Sequence, residues 1–167
     1  MGKPGPLRIV MAEDNAPDVI LVKETLRTVG IEAELLVFQD GEECVRHLTA
    51  SGEPPDAIIV DLNLPRVDGF EILKLVRGER RYDGVPVAVL TSSRTAEDRQ
   101  RSFELGANAF ISKPARLDDF LQTVGSEIRR LLGTPSPAGT LRVKCGPRRM
   151  GRFLRPPKTW LNAPAAG

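Results

Sequence analysis

Short runs of apolar residues recur along the chain, separated by longer mixed segments. Five of these runs have the length and the β-branched content of strands, at Leu7–Ala12, Ala33–Phe38, Ala57–Val60, Pro86–Leu90 and Asn108–Ile111. The third run, AIIV, contains no polar position, so we expect a strand that is buried on both faces. It ends abruptly at Asp61, where a carboxylate follows the apolar pattern.

Between these runs, the apolar residues follow the spacing of an α-helix. The first helical segment has steps of three and four residues between Val19, Val22, Leu26 and Val29. Pro17 near its beginning and Gly30 after its end are typical helix boundaries. The same reasoning predicts helices over Glu42–Ala50, Phe70–Glu79, a segment that opens with the capping box Thr95–Asp98, and Leu117–Leu132.

This alternation of strands and helices predicts an α/β domain in which helices cover both faces of a parallel sheet. The expected form is an open, doubly wound sheet. In such a sheet the ligand lies outside the carboxyl ends of the strands, where the strand order reverses. We therefore expect the functional side chains to lie where the strands end.

Polar side chains follow most of the predicted strands. They are Glu13-Asp14, Asp61, Thr91-Ser92 and Lys113-Pro114. Each is a common loop opener when taken alone, but the predicted sheet brings all of them to one edge. Three carboxylates at one point repel each other unless a cation lies among them, and their oxygens are ligands that Mg²⁺ prefers. A lysine and a hydroxyl beside them favour an anion such as a phosphoryl group.

The identity and spacing of these residues resemble the receiver domain of two-component response regulators, the family that includes CheY. The resemblance rests on Glu13-Asp14, Asp61–Gly69 (DLNLPRVDG), Leu90–Ser93, Gly106-Ala107 and Phe110–Pro114. It implies a flavodoxin-like, CheY-like (βα)5 three-layer sandwich with strand order 2-1-3-4-5, over residues 6–133. The segments AEDNAPD and LTSSRTAED further resemble stand-alone receivers that are associated with bacterial phytochromes.

The resemblance implies a role for each residue at the strand ends. Asp61 would be the phosphoacceptor, which attacks a phosphohistidine on a sensor histidine kinase. Asp14 would bind Mg²⁺ directly, Glu13 would assist through water, and the backbone carbonyl of Asn63 would complete the protein ligands. Lys113 would pair with a phosphoryl oxygen. The protein would then be a phosphoacceptor in signalling rather than an enzyme with a separate substrate.

The resemblance also implies a conformational switch. Thr91 would donate its hydroxyl to the phosphoryl group, and Phe110 would turn inward and alter the surface of helix four, strand five and helix five. The segment TAEDRQRSFELG has only Phe103 and Leu105 as large apolar residues, so we expect helix four to be thinly anchored. Asn63 and Ser93 would flank the path of the hydrolytic water, and the bond before Pro114 would be cis.

The implied partners are a sensor histidine kinase, phytochrome-associated by the narrower resemblance, and a downstream protein target. A homodimer through the surfaces of helices four and five is a further expectation. One alternative is a Mg²⁺-dependent phosphohydrolase with an aspartyl nucleophile, but that class requires a second Asp two residues after the nucleophile, where this chain has Asn63. Another alternative is a degenerate receiver that never accepts a phosphoryl group. The intact Glu13, Asp14, Asp61, Thr91 and Lys113 count against it.

Charge is distributed unevenly along the 167 residues. Residues 134–167 contain seven Lys or Arg and no Asp or Glu, which leaves 17 basic and 22 acidic residues before Thr134, a net charge of −5. This basic, Pro- and Gly-rich tail lacks an apolar pattern, so we expect it to be disordered and solvated. Nucleic-acid binding through the tail is the alternative, and it would depend steeply on salt.

Two cysteines, Cys44 and Cys145, lie far apart and have no metal-ligand spacing. The first residues form no signal-peptide pattern, and no run of 18 apolar residues occurs in the sequence. From these features we expect a cytoplasmic protein without a membrane span and without a zinc site.

Overall fold

The computed structural model describes residues 5–50 and 52–133 of the chain. Within these residues strands and helices alternate along the sequence. The strands are β1 (Leu7–Ala12), β2 (Ala33–Phe38), β3 (Ala57–Val60), β4 (Val87–Thr91) and β5 (Ala109–Ser112). The helices are α1 (Ala16–Thr28), α2 (Gly41–Thr49), α3 (Gly69–Gly78), α4 (Ala96–Glu104) and α5 (Leu117–Leu132).

The strands form one parallel sheet in the order β2-β1-β3-β4-β5. β3 therefore lies at the centre, between β1 and β4, and the order reverses beside β1. This is the flavodoxin-like, CheY-like fold that the sequence predicts, with the expected strand order. Each predicted strand agrees with the observed one to within one residue at each end.

Helices cover both faces of the sheet and divide the core into two layers. α2 and α3 pack on one face around residues such as Leu48 and Leu73, and α1 and α5 pack on the other around Val22 and Phe120. All four residues of β3 are buried. The continuous apolar run of this strand follows from its cover on both faces.

Side-chain caps fix where several helices begin, and the sequence pattern predicts the one at Thr95. Asn15, Asp40, Asp68 and Thr95 each accept a hydrogen bond from a backbone amide in the first turn of the helix that follows. All four caps follow a strand or the loop after it, so α1, α2, α3 and α4 all start near the carboxyl edge of the sheet. The first turns of these helices therefore lie beside the ends of the strands.

The structure adds one element that the sequence does not predict and corrects one expectation. A short 3₁₀ helix over Arg80–Tyr82 lies between α3 and β4. No cis peptide bond occurs among the described residues, so the bond before Pro114 is trans and the expected cis bond is wrong. The trans form is the favoured one for X-Pro by about 0.5–1 kcal/mol, and only the family resemblance suggested otherwise.

The basic tail over residues 134–167, and with it Cys145, lies outside the described residues. Within the ranges 5–50 and 52–133, none of the helices combines the length and the apolar character that a bilayer crossing requires.

Candidate functional site

Asp61 is held at the end of the central strand. Val60 pairs with Ala12 of β1 on one side and with Val89 of β4 on the other. The Asp61 amide donates to the carbonyl of Ala12 over 2.9 Å, which continues the ladder by one residue. The Asp61 side chain is buried, and its Oδ1 accepts a hydrogen bond of 3.1 Å from the amide of Asn63. The carboxylate is therefore fixed by the sheet at its carboxyl edge.

The loop after Asp61 turns away within a few residues because Gly69 lets it fold back closely. A Cβ atom at Gly69 would lie 2.2 Å from the carbonyl oxygen of Asp61 and 2.8 Å from Cα of Leu62. The Gly69 amide donates to the carbonyl of Leu62 over 3.1 Å. Only glycine fits at this position, and the tight return leaves the Asp61 carboxylate at the top of the sheet.

Two further carboxylates reach the same point from the end of β1. Glu13 continues the sheet, because its amide donates to the carbonyl of Phe38 over 2.9 Å. Ligand oxygens of Glu13, Asp14 and Asp61 all lie within 4.8 Å of one another. Glu13 is 1% exposed, whereas Asp14 faces solvent. The trio thus has a buried base and an open side.

Lys113 brings one positive charge to this cluster from the end of β5. Its backbone amide donates to the carbonyl of Thr91 over 2.8 Å, which keeps the ends of β4 and β5 in register. Its ammonium donates to Asp61 Oδ2 over 2.6 Å and to Glu13 Oε2 over 2.7 Å, and the side chain is 8% exposed. The structure therefore brings Glu13, Asp14, Asp61 and Lys113 together at one place, as the sequence predicts.

Burial and charge act against each other at this cluster. Burial raises the pKa of Glu13 to about 7, although the hydrogen bond and the positive charge of Lys113 act to lower it. Burial alone would lower the pKa of Lys113, but the hydrogen bonds that its ammonium donates to Asp61, Glu13 and Asp18 raise it above its usual value. The ammonium is thus charged at neutral pH and offsets part of the negative charge of these carboxylates.

The chemistry of the donor set fits a hard divalent cation. Three carboxylates offer oxygen ligands at one point, and two of them, Glu13 and Asp61, already bind a positive charge in the form of the Lys113 ammonium. Mg²⁺ and Mn²⁺ prefer such oxygen ligands and retain water on an open side, which the exposed Asp14 provides. The Asn63 backbone lies beside the cluster, since its amide bonds to Asp61.

Thr91 is the last residue of β4 and is fully buried. It lies on the strand next to β3, one residue beyond the level of Asp61, and its Oγ1 accepts a hydrogen bond of 3.2 Å from the amide of Ser93. The Ser93 hydroxyl in turn donates to Asp98 Oδ2 over 2.5 Å. The end of β4 is thereby linked to the first turn of α4.

Phe110 lies on β5, away from the carboxylates, and its side chain is buried. The guanidinium carbon of Arg99 lies 5.8 Å from the centroid of the Phe110 ring and 5.5 Å from that of Phe103. Ser102 is the only buried residue of α4. The expectation of a thinly anchored fourth helix is therefore confirmed by its burial.

One residue that reaches the site is not predicted by the sequence pattern. Asp18 in the first turn of α1 accepts a hydrogen bond of 2.9 Å from the ammonium of Lys113. A signal was available, because α1 follows Glu13-Asp14 directly and an acidic residue in its first turn must lie near the strand edge. The direction of the side chain depends on the helical phase, which the spacing of apolar residues did not resolve.

Comparison with known proteins adds independent evidence. The family model of the response regulator receiver domain matches residues 9–125. Response regulator Rcp1 of the cyanobacterium Synechocystis is 36% identical over 124 residues, which cover 71% of this chain and 84% of Rcp1. The solved Mn²⁺-bound form of Rcp1 superimposes with a TM-score of 0.70 at 35% identity, over 80% of this chain and all (100%) of that one.

Two other solved structures are similar. The phosphorylated cyanobacterial phytochrome response regulator RcpA has a TM-score of 0.71 at 32% identity, covering 79% of this chain and 98% of RcpA. The receiver domain of a Pseudomonas aeruginosa sensor histidine kinase, which holds a magnesium ion in its active-site cleft, has a TM-score of 0.61 at 26% identity, covering 78% of this chain and 100% of that domain. By its family match, its relatives and its fold, this chain belongs to the response regulator receiver domain family and is a receiver-domain response regulator of two-component systems.

Proposed function

We propose that Asp61 is the residue of this receiver that accepts a phosphoryl group from a histidine kinase. One observation carries the proposal. The Asp61 carboxylate is fixed at the end of the central strand, 2.6 Å from the Lys113 ammonium and within 4.8 Å of the ligand oxygens of Glu13 and Asp14. A nucleophile, a cation for the transferred group and a set of metal ligands therefore share one point.

In the proposed transfer, an Asp61 carboxylate oxygen forms a bond to phosphorus while the bond between phosphorus and the histidine nitrogen of the kinase breaks. The product on this chain is an acyl phosphate. Lys113 already donates to Asp61 Oδ2, so a phosphoryl group attached there lies within its reach. A Mg²⁺ ion held by Glu13, Asp14, Asp61 and the Asn63 carbonyl would supply neutralisation of the phosphoryl oxygens.

Hydrolysis of the acyl phosphate would return the protein to its starting state without another enzyme. Asn63 and Ser93 lie on the two loops beside the site, and we propose that they flank the path of the attacking water. Asn63 carries an amide where the phosphohydrolase alternative requires a carboxylic acid. Of the described residues, none favours that alternative.

We further propose that the phosphorylated site signals through Thr91, Phe110 and α4. Thr91 is linked through Ser93 to Asp98 of α4, and Phe110 lies beneath Arg99 of the same helix. A shift of the Thr91 hydroxyl towards a phosphoryl group would therefore disturb the start of α4. Phe110 is buried in this structure, and we propose that its ring is held in the inward orientation when Asp61 is phosphorylated.

The partners follow from the same proposal. Receivers take phosphoryl groups from histidine kinases, and the likeness to Rcp1 and RcpA supports a phytochrome-type kinase for this chain. We propose residues 6–133 as the receiver, residues 134–167 as a separate basic tail, and the surface of α4, β5 and α5 as the site for a downstream protein or a second copy. Cys44 is a buried free thiol, which supports a reducing compartment such as the cytoplasm.

Incubation with acetyl phosphate and Mg²⁺, followed by intact-mass measurement, tests the acceptor. We expect the parent protein to gain one phosphoryl group and Asp61→Asn to gain none. Asp119→Asn is the matched control, because it removes an exposed carboxylate from α5, and it should gain the phosphoryl group like the parent. An adduct that persists in Asp61→Asn, or none on the parent, would refute the assignment.

The switch needs its own test. Thr91→Ala and Thr91→Ser are compared with the parent by amide NMR, before and after addition of a beryllofluoride phosphoryl mimic. We expect the α4 resonances to shift in the parent and in Thr91→Ser, which keeps the hydroxyl, but not in Thr91→Ala. Equal shifts in all three proteins would show that α4 responds without the Thr91 hydroxyl.

A further inference from the structure

The Lys113 ammonium has a third carboxylate partner that lies outside the trio of candidate metal ligands. Besides Glu13 and Asp61, it donates to Asp18 Oδ2 over 2.9 Å. Within the described part of the chain, the close group of possible metal ligands contains Glu13, Asp14 and Asp61 but not Asp18. Asp18 therefore binds the lysine without belonging to the cation site.

The position of Asp18 is well defined by local structure. Its backbone amide donates to Oδ1 of the capping residue Asn15 over 3.4 Å, and the Asn15 amide donates to Glu13 Oε1 over 3.0 Å. Its side chain is 19% exposed, so water screens it only in part. The carboxylate belongs to α1, which follows β1, and β3 separates β1 from β4 and Thr91 in the sheet.

Lys113 and a divalent cation compete for the same two carboxylates. The ammonium donates to Glu13 over 2.7 Å and to Asp61 over 2.6 Å, and both residues belong to the trio. Two cations at one pair of carboxylates repel each other, so cation binding is weaker while the ammonium remains between them. An acceptor outside the trio gives the ammonium a place to remain hydrogen-bonded while Glu13 and Asp61 turn to the metal.

We propose that Asp18 is a positioning residue that holds the Lys113 ammonium on the α1 side of the site and thereby strengthens divalent-cation binding at Glu13, Asp14 and Asp61. The inference rests on the proposed function, because it assumes that this trio binds the cation. Asp18 acts through Lys113 in this arrangement and touches neither the metal nor the phosphoryl group.

Two plainer roles for Asp18 make different predictions. A carboxylate near a cation site attracts the cation directly, whether or not a lysine is present. An acidic residue in the first turn of a helix stabilises that helix through its dipole, which changes folding but not metal binding. Only the positioning role makes the effect of Asp18 on metal affinity depend on Lys113.

A double-mutant cycle separates these roles. Mn²⁺ binding to the full-length chain is measured by isothermal titration calorimetry for the parent, Asp18→Asn, Lys113→Ala and the double variant. We expect Asp18→Asn to weaken Mn²⁺ binding about tenfold in the parent background and about twofold in the Lys113→Ala background, a coupling of about fivefold that is usual for residues in one network. Lys113→Ala alone should bind Mn²⁺ more tightly than the parent.

Control variants address charge and folding. Asp118→Asn removes one exposed carboxylate from the first turn of α5 at the same edge of the sheet, and it should change the Mn²⁺ dissociation constant by less than about twofold. Asp18→Glu keeps the charge and should restore most of the affinity that Asp18→Asn loses. Thermal unfolding of each variant without metal shows whether the fold is intact.

The results test the positioning role of Asp18 separately from the proposed metal site. An equal loss of affinity on Asp18→Asn in both backgrounds means that Asp18 acts by direct attraction, and it overturns the inference while the metal site stands. No change on Asp18→Asn in either background also overturns it. Absence of Mn²⁺ binding by the parent overturns the proposed metal site and the inference together.

Discussion

The two helices beside β5 are held in different ways. Both α4 and α5 contact this strand. α5 buries Phe120, Val124, Gly125 and Ile128, whereas α4 buries only Ser102. One helix is therefore part of the apolar core, and the other lies on its surface.

The contacts of each helix explain the contrast. α5 approaches α1 so closely that a Cβ atom at Gly125 would lie 2.7 Å from Val29 Cγ1, and Arg129 donates to the carbonyl of Val29 over 2.7 Å. α4 relies instead on side chains stacked at the surface, such as Arg101, whose guanidinium carbon lies 4.1 Å from the centroid of the Phe70 ring. Apolar burial contributes more free energy than such surface stacking.

The difference in packing between α5 and α4 suits them to different tasks in one domain. α5 and the central strands hold the carboxylates and Lys113 in place, which a phosphoacceptor site requires. α4 follows the strand that ends at Thr91, and among the described α-helices it is the one without a buried apolar residue. Elements that move in a switch come from the low-stability part of a fold, and α4 meets that condition.

The largest expected effect comes from removing the anchor of α5. Phe120 is 1% exposed in the core layer with α1, so Phe120→Ala should lower the free energy of unfolding by about 3–5 kcal/mol. Urea unfolding followed by circular dichroism measures this loss.

The matched substitution on α4 sharpens the result. Phe103 is 42% exposed, so Phe103→Ala should lower the free energy of unfolding by less than about 1 kcal/mol. Similar losses for Phe120→Ala and Phe103→Ala would mean that α4 is anchored as firmly as α5, and that the two helices do not differ in stability.

Hydrogen exchange tests the same contrast without a mutation. We expect amides in the middle of α5 to exchange through global unfolding, and amides of α4 to exchange through a local opening that is about 2 kcal/mol or more lower in free energy. Exchange followed by NMR at increasing urea concentration measures both. If the α4 amides share the urea dependence of the α5 amides, the two helices open as one unit.

The helix caps offer a smaller and two-sided test. The Thr95 hydroxyl accepts from the Asp98 amide over 3.1 Å, whereas the N-cap of α5, Arg116, makes no capping hydrogen bond through its side chain. Thr95→Ala should therefore lower the opening free energy of α4 by about 1 kcal/mol, and Arg116→Ser should raise the stability of α5 by about as much.

The same exchange and urea measurements report both changes. Arg116→Ala is the control for Arg116→Ser, because it removes the arginine without adding a cap. A gain in stability with Arg116→Ala would show that loss of the arginine, rather than the new cap, is responsible.

The core of the site could be predicted because it depends on local patterns. An apolar run that ends in Asp61, and a later one that ends at Lys113, place both residues at one edge once the strands are parallel. The order of the strands did not come from the pattern itself, since many orders satisfy five alternating units, and it was supplied by the family resemblance.

Features that depend on contacts distant in the sequence were missed. The 3₁₀ helix over Arg80–Tyr82 has no apolar period. It is held by Arg81, which donates to the carbonyl of Ala50 over 2.8 Å, and by the Tyr82 hydroxyl, which donates to the carbonyl of Leu48 over 2.7 Å. The contact of Asp18 with Lys113 likewise joins residues from opposite ends of the domain. Such hydrogen bonds leave no periodic signal in the sequence.

The smallest expected effect concerns the stacking that holds α4 over Phe110. Arg99→Ala removes the guanidinium from both the Phe103 and the Phe110 rings, and it should lower the opening free energy of α4 by about 0.5 kcal/mol, as expected for exposed cation–π contacts. Faster flipping of the Phe110 ring, measured by NMR relaxation of its ring carbons, should accompany the loss. Arg94→Ala removes an exposed arginine of the loop before α4 and controls for charge. If Arg94→Ala changes the opening free energy of α4 and the flipping rate of the Phe110 ring as much as Arg99→Ala does, then net charge holds the helix in place. Stacking of Arg99 on the two rings would then not explain how α4 is anchored.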